Sequence, residues 1–222
     1  MAISRNTKWA IGAILGVAAV AVVGGLLVRG EYATTQSAQR QFRIADNFTP
    51  VRKVLVRTDA AKQIVTMGGG SEFVSQNWQA IGAEPGGTLR EMIEDPNWRL
   101  ELVGTLKVLT KDDYIGEHEI ALAQHVVITP DSLVSEVHLK EPTARLKKYD
   151  MTTSFRRDSQ SGETVVDLAL TQEILTDAPW FAHGIADRRV LASVERTLEN
   201  QEAAIRKVIA DNIGDVPVFP LR

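Results

Sequence analysis

The sequence predicts an α+β protein: one apolar N-terminal helix long enough to cross a membrane, then a domain made of an antiparallel sheet and a long C-terminal helix. Three observations carry this expectation. Residues 9–28 (WAIGAILGVAAVAVVGGLLV) contain no charge. Between Trp98 and Ile174, apolar residues recur at every second position in closely spaced segments, the period of half-buried strands. From Asp187 to Asn212 they recur at intervals of three and four, the period of an amphipathic helix.

A hydrocarbon core of ~30 Å is crossed by about 20 apolar helical residues, and residues 9–28 supply 20. A cleaved signal peptide has a core of about 7–15 residues followed by a small-x-small site. This core is longer, and Arg29-Gly30-Glu31-Tyr32 makes a poor site, with Gln36-Ser37-Ala38 a weak later one. The polar stripe of a buried core helix is missing. The segment therefore reads as a retained single-pass anchor. Arg5, Lys8 and the amino terminus precede it, so the positive-inside rule puts residues 1–8 in the cytoplasm. The main domain is then expected outside the cytoplasm, periplasmic where the anchor sits in an inner membrane. The absence of cysteine excludes disulfides, thiolate metal sites and cysteine nucleophiles. A net charge of −3 gives no case for nucleic acid as a partner.

Beyond the anchor, residues 29–40 are polar and read as a connector or the start of a strand; residues 41–213 read as one domain and 214–222 as a tail. QFRIADN (41–47) is a short strand candidate. Thr49-Pro50 looks like an N-cap followed by proline at the first helical position. Val51, Val54, Leu55, Ala61, Ile64 and Val65 then predict a helix over 50–67, broken near Asp59. Residues 71–81 and 88–94 are assigned further short helical turns, and GGG (68–70) and EPGG (84–87) mark loops.

The period then becomes two. Trp98, Leu100, Leu102, Leu106 and Val108 share one strand face; Ile120, Leu122, Val126 and Ile128 share the next. Thr129-Pro130-Asp131-Ser132 is a turn signal before LVSEVHL (133–139). Tyr149, Met151 and Phe155 align on one segment, Val166, Leu168, Leu170 and Ile174 on another, with Ser161-Gly162 turning between them. Short turns between such segments predict an antiparallel meander. The last element carries Val190, Leu191, Val194, Leu198, Ile205, Val208 and Ile209 as one stripe, ended by Asn212, Gly214 and Pro217. That stripe needs the apolar face of the sheet.

This order resembles the helix-grip fold of the START, polyketide-cyclase and birch-pollen-allergen superfamily (SRPBCC). The likeness is carried by QFRIADNFTPVRKVLVRTDAAKQI at the front, ETVVDLALTQEI as the last strand and RRVLASVERTLENQEAAIRKVIADN as the closing helix. It departs in the insert from Gly68 to Asn97, which is longer and richer in glycine than the family pattern. The resemblance implies a sheet curled around the helix, with a cavity between them for a lipid, sterol, quinone or polyketide-like ligand. Under it, Tyr149, Met151, Phe155, Leu168, Leu170, Val194 and Leu198 are cavity candidates; plain core packing is the competing reading for each.

No catalytic set is legible. There is no G-x-S-x-G, Walker loop or dinucleotide glycine fingerprint. The four histidines, His118, His125, His138 and His183, lack metal-ligand spacing, and His118 and His125 fall on opposite strand faces. No metal and no cofactor is expected. DAPWFAHG (177–184) presents Trp180 and Phe181 just before the closing helix; they could contact a bilayer, dock a partner, gate a ligand or staple the helix. The expected function is a membrane-anchored, non-catalytic accessory or assembly subunit of a membrane protein complex, with a cavity of lipid or quinone size. The alternatives are a lipid- or quinone-binding carrier or chaperone, a type IV secretion-like assembly factor, and an enzyme such as a cyclase or hydrolase.

Overall fold

A computed structural model describes residues 30–56, 60–68, 71–81, 98–112 and 116–215. The expected anchor at 9–28, the cytoplasmic residues 1–8, the turns at 88–94 and most of the tail lie outside them. Among the described residues, no helix is long and apolar enough to cross a membrane.

Seven strands form one antiparallel sheet: β1 (Gly30–Asn47), β2 (Ser71–Ile81), β3 (Leu100–Asp112), β4 (Gly116–Ile128), β5 (Ser132–Leu139), β6 (Leu146–Arg157) and β7 (Glu163–Ala178). Their spatial order is β1-β7-β6-β5-β4-β3-β2. Strands β2 to β7 follow as a meander, and β1 pairs with the last strand. Helices α1 (Phe48–Leu55) and α2 (Ala60–Gly68) connect β1 to β2; α3 (His183–Asn212) closes the chain. The antiparallel sheet and long closing helix are those expected from the two periodicities, and together they fit the helix-grip arrangement that the resemblance implied.

The turns follow local chemistry. Between β4 and β5, the Thr129 hydroxyl accepts from the Ser132 amide at 2.9 Å, while the Thr129 amide donates to the Ser132 carbonyl at 2.8 Å. Between β6 and β7, Gly162 takes a φ of 76°, a left-handed value that a side chain would strain. Its amide donates to the Asp158 carbonyl at 2.9 Å.

Of the seven residues expected in the α3 stripe, Leu191 is half-buried, and the other six, Val190, Val194, Leu198, Ile205, Val208 and Ile209, are at most 1% exposed. They meet Leu168, Leu170 and Ile174 of β7 and Phe42 and Ile44 of β1 in one core. Arg206 lies over the Phe42 ring at 4.6 Å and pairs with Glu202, which also bonds Arg40 of β1.

Two alternatives are resolved and one expectation is corrected. The connector at 29–40 is strand from Gly30 onward, paired with β7 as far as Ala178. Its inward positions there are Thr34, Gln36 and Ala38 rather than large apolar residues, so the alternation was faint in the sequence. The helix expected over 50–67 with a break near Asp59 is found as two helices, α1 and α2. Residues 71–81 are a strand and not helical turns, because pairing along β3 satisfies their backbone groups.

Candidate functional site

The sheet and α3 do not close on each other everywhere. At β1 and β7 they pack directly. Towards β2–β6 they leave a cavity of about 460 Å³, bounded by α2 and by Thr197, Gln201 and Ile205 of α3. That volume lies in the range of small-molecule sites.

Three of the seven expected cavity residues border it: Tyr149, Met151 and Phe155. Leu168, Leu170, Val194 and Leu198 do not. They are at most 1% exposed and fill the contact between β7 and α3, so for these four the packing reading holds. Further sheet wall comes from β3, β4 and β5, through Leu106, Leu122, Val126 and Leu133.

A group of neutral polar residues escaped the sequence reading. Gln76, Gln124, Thr153 and Gln172 all border the cavity. They occupy inward positions of strands that otherwise alternate apolar and polar. The Gln76 amide donates to the Gln124 carbonyl at 2.7 Å. In register, Trp78, Gly104, Gln124 and Val137 form one cross-strand row. Gly104 is obligatory there. A Cβ would stand 2.2 Å from the Asn77 carbonyl oxygen and 2.7 Å from the Trp78 ring. Trp78, 40% exposed, thereby folds against β3 where it borders the cavity. The signal that could have found the set was a glutamine at three inward positions, two of them in strongly apolar strands.

Deeper in, Tyr149 of β6 pairs in register with Gln172 of β7. Burial pushes the Tyr149 hydroxyl up to about 12, so it remains a neutral phenol. Its hydroxyl contacts the Met151 sulfur at 3.5 Å. Gln172 is 5% exposed, and its side-chain carbonyl oxygen is buried without a hydrogen-bond partner. Among the described residues, no Asp, Glu, Lys, Arg or His borders the cavity.

The histidines are placed away from it. His125 reaches Glu101 at 2.6 Å on the outer sheet face and holds that carboxyl below its usual range. His138 bonds Asp150 at 2.8 Å. His183 stacks on Tyr32 with ring centroids 3.7 Å apart. Among the described residues, no group of three acidic, cysteine or histidine side chains is arranged for a metal ion.

Trp180 and Phe181 form a single turn of 3-10 helix between β7 and α3. They are 75% and 51% exposed and meet each other edge to face at 5.9 Å. The stapling reading does not hold, because neither is buried. The joint is instead fixed by Asp187, which accepts from the Thr34 hydroxyl at 2.6 Å and the Tyr32 hydroxyl at 3.0 Å. Ile185 is also exposed nearby in sequence. Gly30, the first residue of β1, pairs with Ala178, so the chain enters the domain beside this aromatic turn.

No protein-family model and no curated protein matches the sequence. Similar solved structures include Ara h 8.0201, at 12% identity, covering 82% of this chain and 99% of that one with a TM-score of 0.43. The Zhui aromatase/cyclase of a Streptomyces strain is similar at 15% identity over 81% of this chain and 96% of that one, with a TM-score of 0.44. A START superfamily protein from Mycobacterium smegmatis is similar at 13% identity over 79% and 97%, with a TM-score of 0.43. The strand order and the gripping helix of the chain itself, rather than these distant likenesses, identify its architecture.

Proposed function

We propose that the chain is a membrane-tethered, non-catalytic domain that takes up a largely apolar molecule of lipid or quinone size. The single observation behind this reading is the cavity of about 460 Å³, apolar in most of its wall and bordered, among the described residues, by no charged side chain. Burying a ligand's apolar surface there supplies affinity, at about 25 cal/mol per Å² removed from water. Neutral amides and hydroxyls supply orientation. A non-catalytic role is supported by the character of the described lining, which consists of apolar side chains with neutral amides and hydroxyls.

The tether is supported by the uncharged stretch 9–28 and by the entry of the chain at Gly30, next to Ala178. Tethering would keep the cavity close to ligands that partition into the bilayer. The basic residues before the stretch support an extracytoplasmic domain at the inner membrane.

The test is native mass spectrometry of the full chain after gentle extraction. A neutral small molecule bound near one per chain is the expected result. A chain that comes off empty and that also fails to bind the neutral fluorophore 1-aminoanthracene would remove the reading. A second reading, the accessory subunit of a membrane complex, is favoured by the exposed Trp180 and Phe181, since interface energy concentrates on such aromatics. A stoichiometric protein partner lost on changing both to Ser would support it.

A further inference from the structure

We propose that Trp180, Phe181 and Ile185 sit in the headgroup layer of the bilayer that holds the anchor, so that the domain rests on a lipid surface through its β7–α3 joint. The proposal rests on the tether described above and deepens it. It gives to lipid the aromatic pair that the second reading gives to a protein partner.

Chain direction carries it. Gly30, where β1 begins, follows the uncharged stretch 9–28 by two residues, and two residues reach at most about 7 Å. Strand β1 therefore starts at the bilayer and runs away from it. Strand β7 is antiparallel to β1 and ends where β1 begins, with Ala178 opposite Gly30, so β7 runs towards the bilayer. Helix α3 then turns back. Its Asp187 meets Thr34, its Glu199 and Glu202 meet Arg40, and its Arg206 donates to the Arg43 carbonyl, so later residues of α3 meet later residues of β1. The turn at Trp180–Ala182 is thus the apex between an element that approaches the membrane and one that leaves it. Two residues separate Trp180 from Ala178, which places its Cα within about 20 Å of Val28 along a path through paired strands.

The side chains at that apex suit lipid. Trp180 is 75% exposed, and Phe181 and Ile185 are about half exposed. Aromatic side chains, tryptophan above all, collect at the membrane–water boundary, where an apolar ring and a polar N–H meet their matching surroundings. The joint beneath them is fixed, because Asp187 accepts from both Tyr32 and Thr34, so little order is lost on insertion. Charges flanking the turn balance, with Arg29, Arg188 and Arg189 against Glu31, Asp177 and Asp187. Apolar surface rather than a cationic patch therefore supplies the attraction, and the surface it fits is a zwitterionic headgroup layer.

The chain has no cysteine, so single cysteines placed in the full chain each carry one nitrobenzoxadiazole fluorophore. Four variants are reconstituted in phosphatidylcholine nanodiscs: Phe181→Cys, Ile185→Cys, Gln160→Cys in the exposed β6–β7 turn at the far end of the sheet, and Ala18→Cys within the uncharged stretch. Lipid carrying a nitroxide just below the headgroup should remove most of the emission at 181 and 185 and leave 160 unchanged. Lipid carrying it at the bilayer centre should quench 18. Adding Trp180→Ser to the Ile185→Cys chain should restore most of the lost emission, and exchanging part of the phosphatidylcholine for phosphatidylglycerol should change little. Labels at 181 and 185 no more quenched than 160 would overturn the proposal, and so would quenching that needs the anionic lipid. A label at 181 shielded from aqueous iodide but untouched by the lipid nitroxide, as under a second copy or a protein partner, would overturn it too. In those cases a quenched label at 18 leaves the tether standing; a label at 18 that no lipid nitroxide reaches removes both.

Discussion

The two halves of the sheet face the same helix but are filled differently. On the β1–β7 side, Leu168, Leu170, Val194 and Leu198 are at most 1% exposed and close the interior completely. On the β2–β6 side β4 alternates just as regularly, yet the inward positions of these strands include Gly104, Gln76 and Gln124, and α2 borders the space between sheet and helix. Alternation decides which side chains turn inward. Their volume, and the distance of the helix, decide whether a core or a cavity results.

That contrast can be broken most directly by matched truncations. Leu198→Ala removes a leucine from the dense half and should cost towards the upper end of the ~2–5 kcal/mol range for such changes, read by denaturant unfolding. Leu122→Ala removes one that already borders open space and should cost near ~2 kcal/mol, since it forfeits fewer contacts. Equal costs would mean that the two halves are packed alike.

Gly104→Ala is the next largest effect. Its Cβ would press on the Asn77 carbonyl and the Trp78 ring. Overpacking of this kind typically costs ~1–3 kcal/mol. Because the strain falls on the edge strand β2, 1-aminoanthracene binding should weaken at the same time. An unchanged melting temperature with unchanged binding would show that β2 is not held against the rim as described.

Gln172→Met sharpens the comparison from the other direction. In ligand-free protein it removes an unpaired buried acceptor and should be neutral or stabilising by up to ~1 kcal/mol. A loss of 2 kcal/mol or more, on the scale of a broken buried hydrogen bond, would mean that the amide serves the fold.

A smaller effect is expected at the hinge between β1 and α3. The Thr34 hydroxyl bond, reinforced by Tyr32, holds the Asp187 carboxyl below its usual range. A depressed folded value means stability that is present above the ordinary carboxylate range and lost as pH falls through the lowered value. Melting temperatures of the parent and Asp187→Asn should therefore differ at neutral pH and converge in acid. A constant gap across pH would exclude this linkage. Smallest of all, Trp180→Ser with Phe181→Ser should move stability by no more than ~0.5 kcal/mol, as for surface positions in general, because both side chains are exposed.

The sequence by itself determined the parts whose burial follows a fixed period. The meander from Trp98 to Ile174 and the α3 stripe from Val190 to Ile209 were legible because each repeats one local rule, and the helix-grip order followed from their succession. The aromatic turn at Trp180 was legible as a feature, and the tertiary structure decided that it points to solvent. Strand β1 was faint before Gln41 because its inner face there carries Thr34, Gln36 and Ala38, which only pairing with β7 makes strand. Strand β2 was misread because its backbone partners lie on β3, beyond any local window. The cavity was decided by tertiary structure alone. Parity turns Leu122 and Leu168 inward equally, but the helix touches one and stands off from the other.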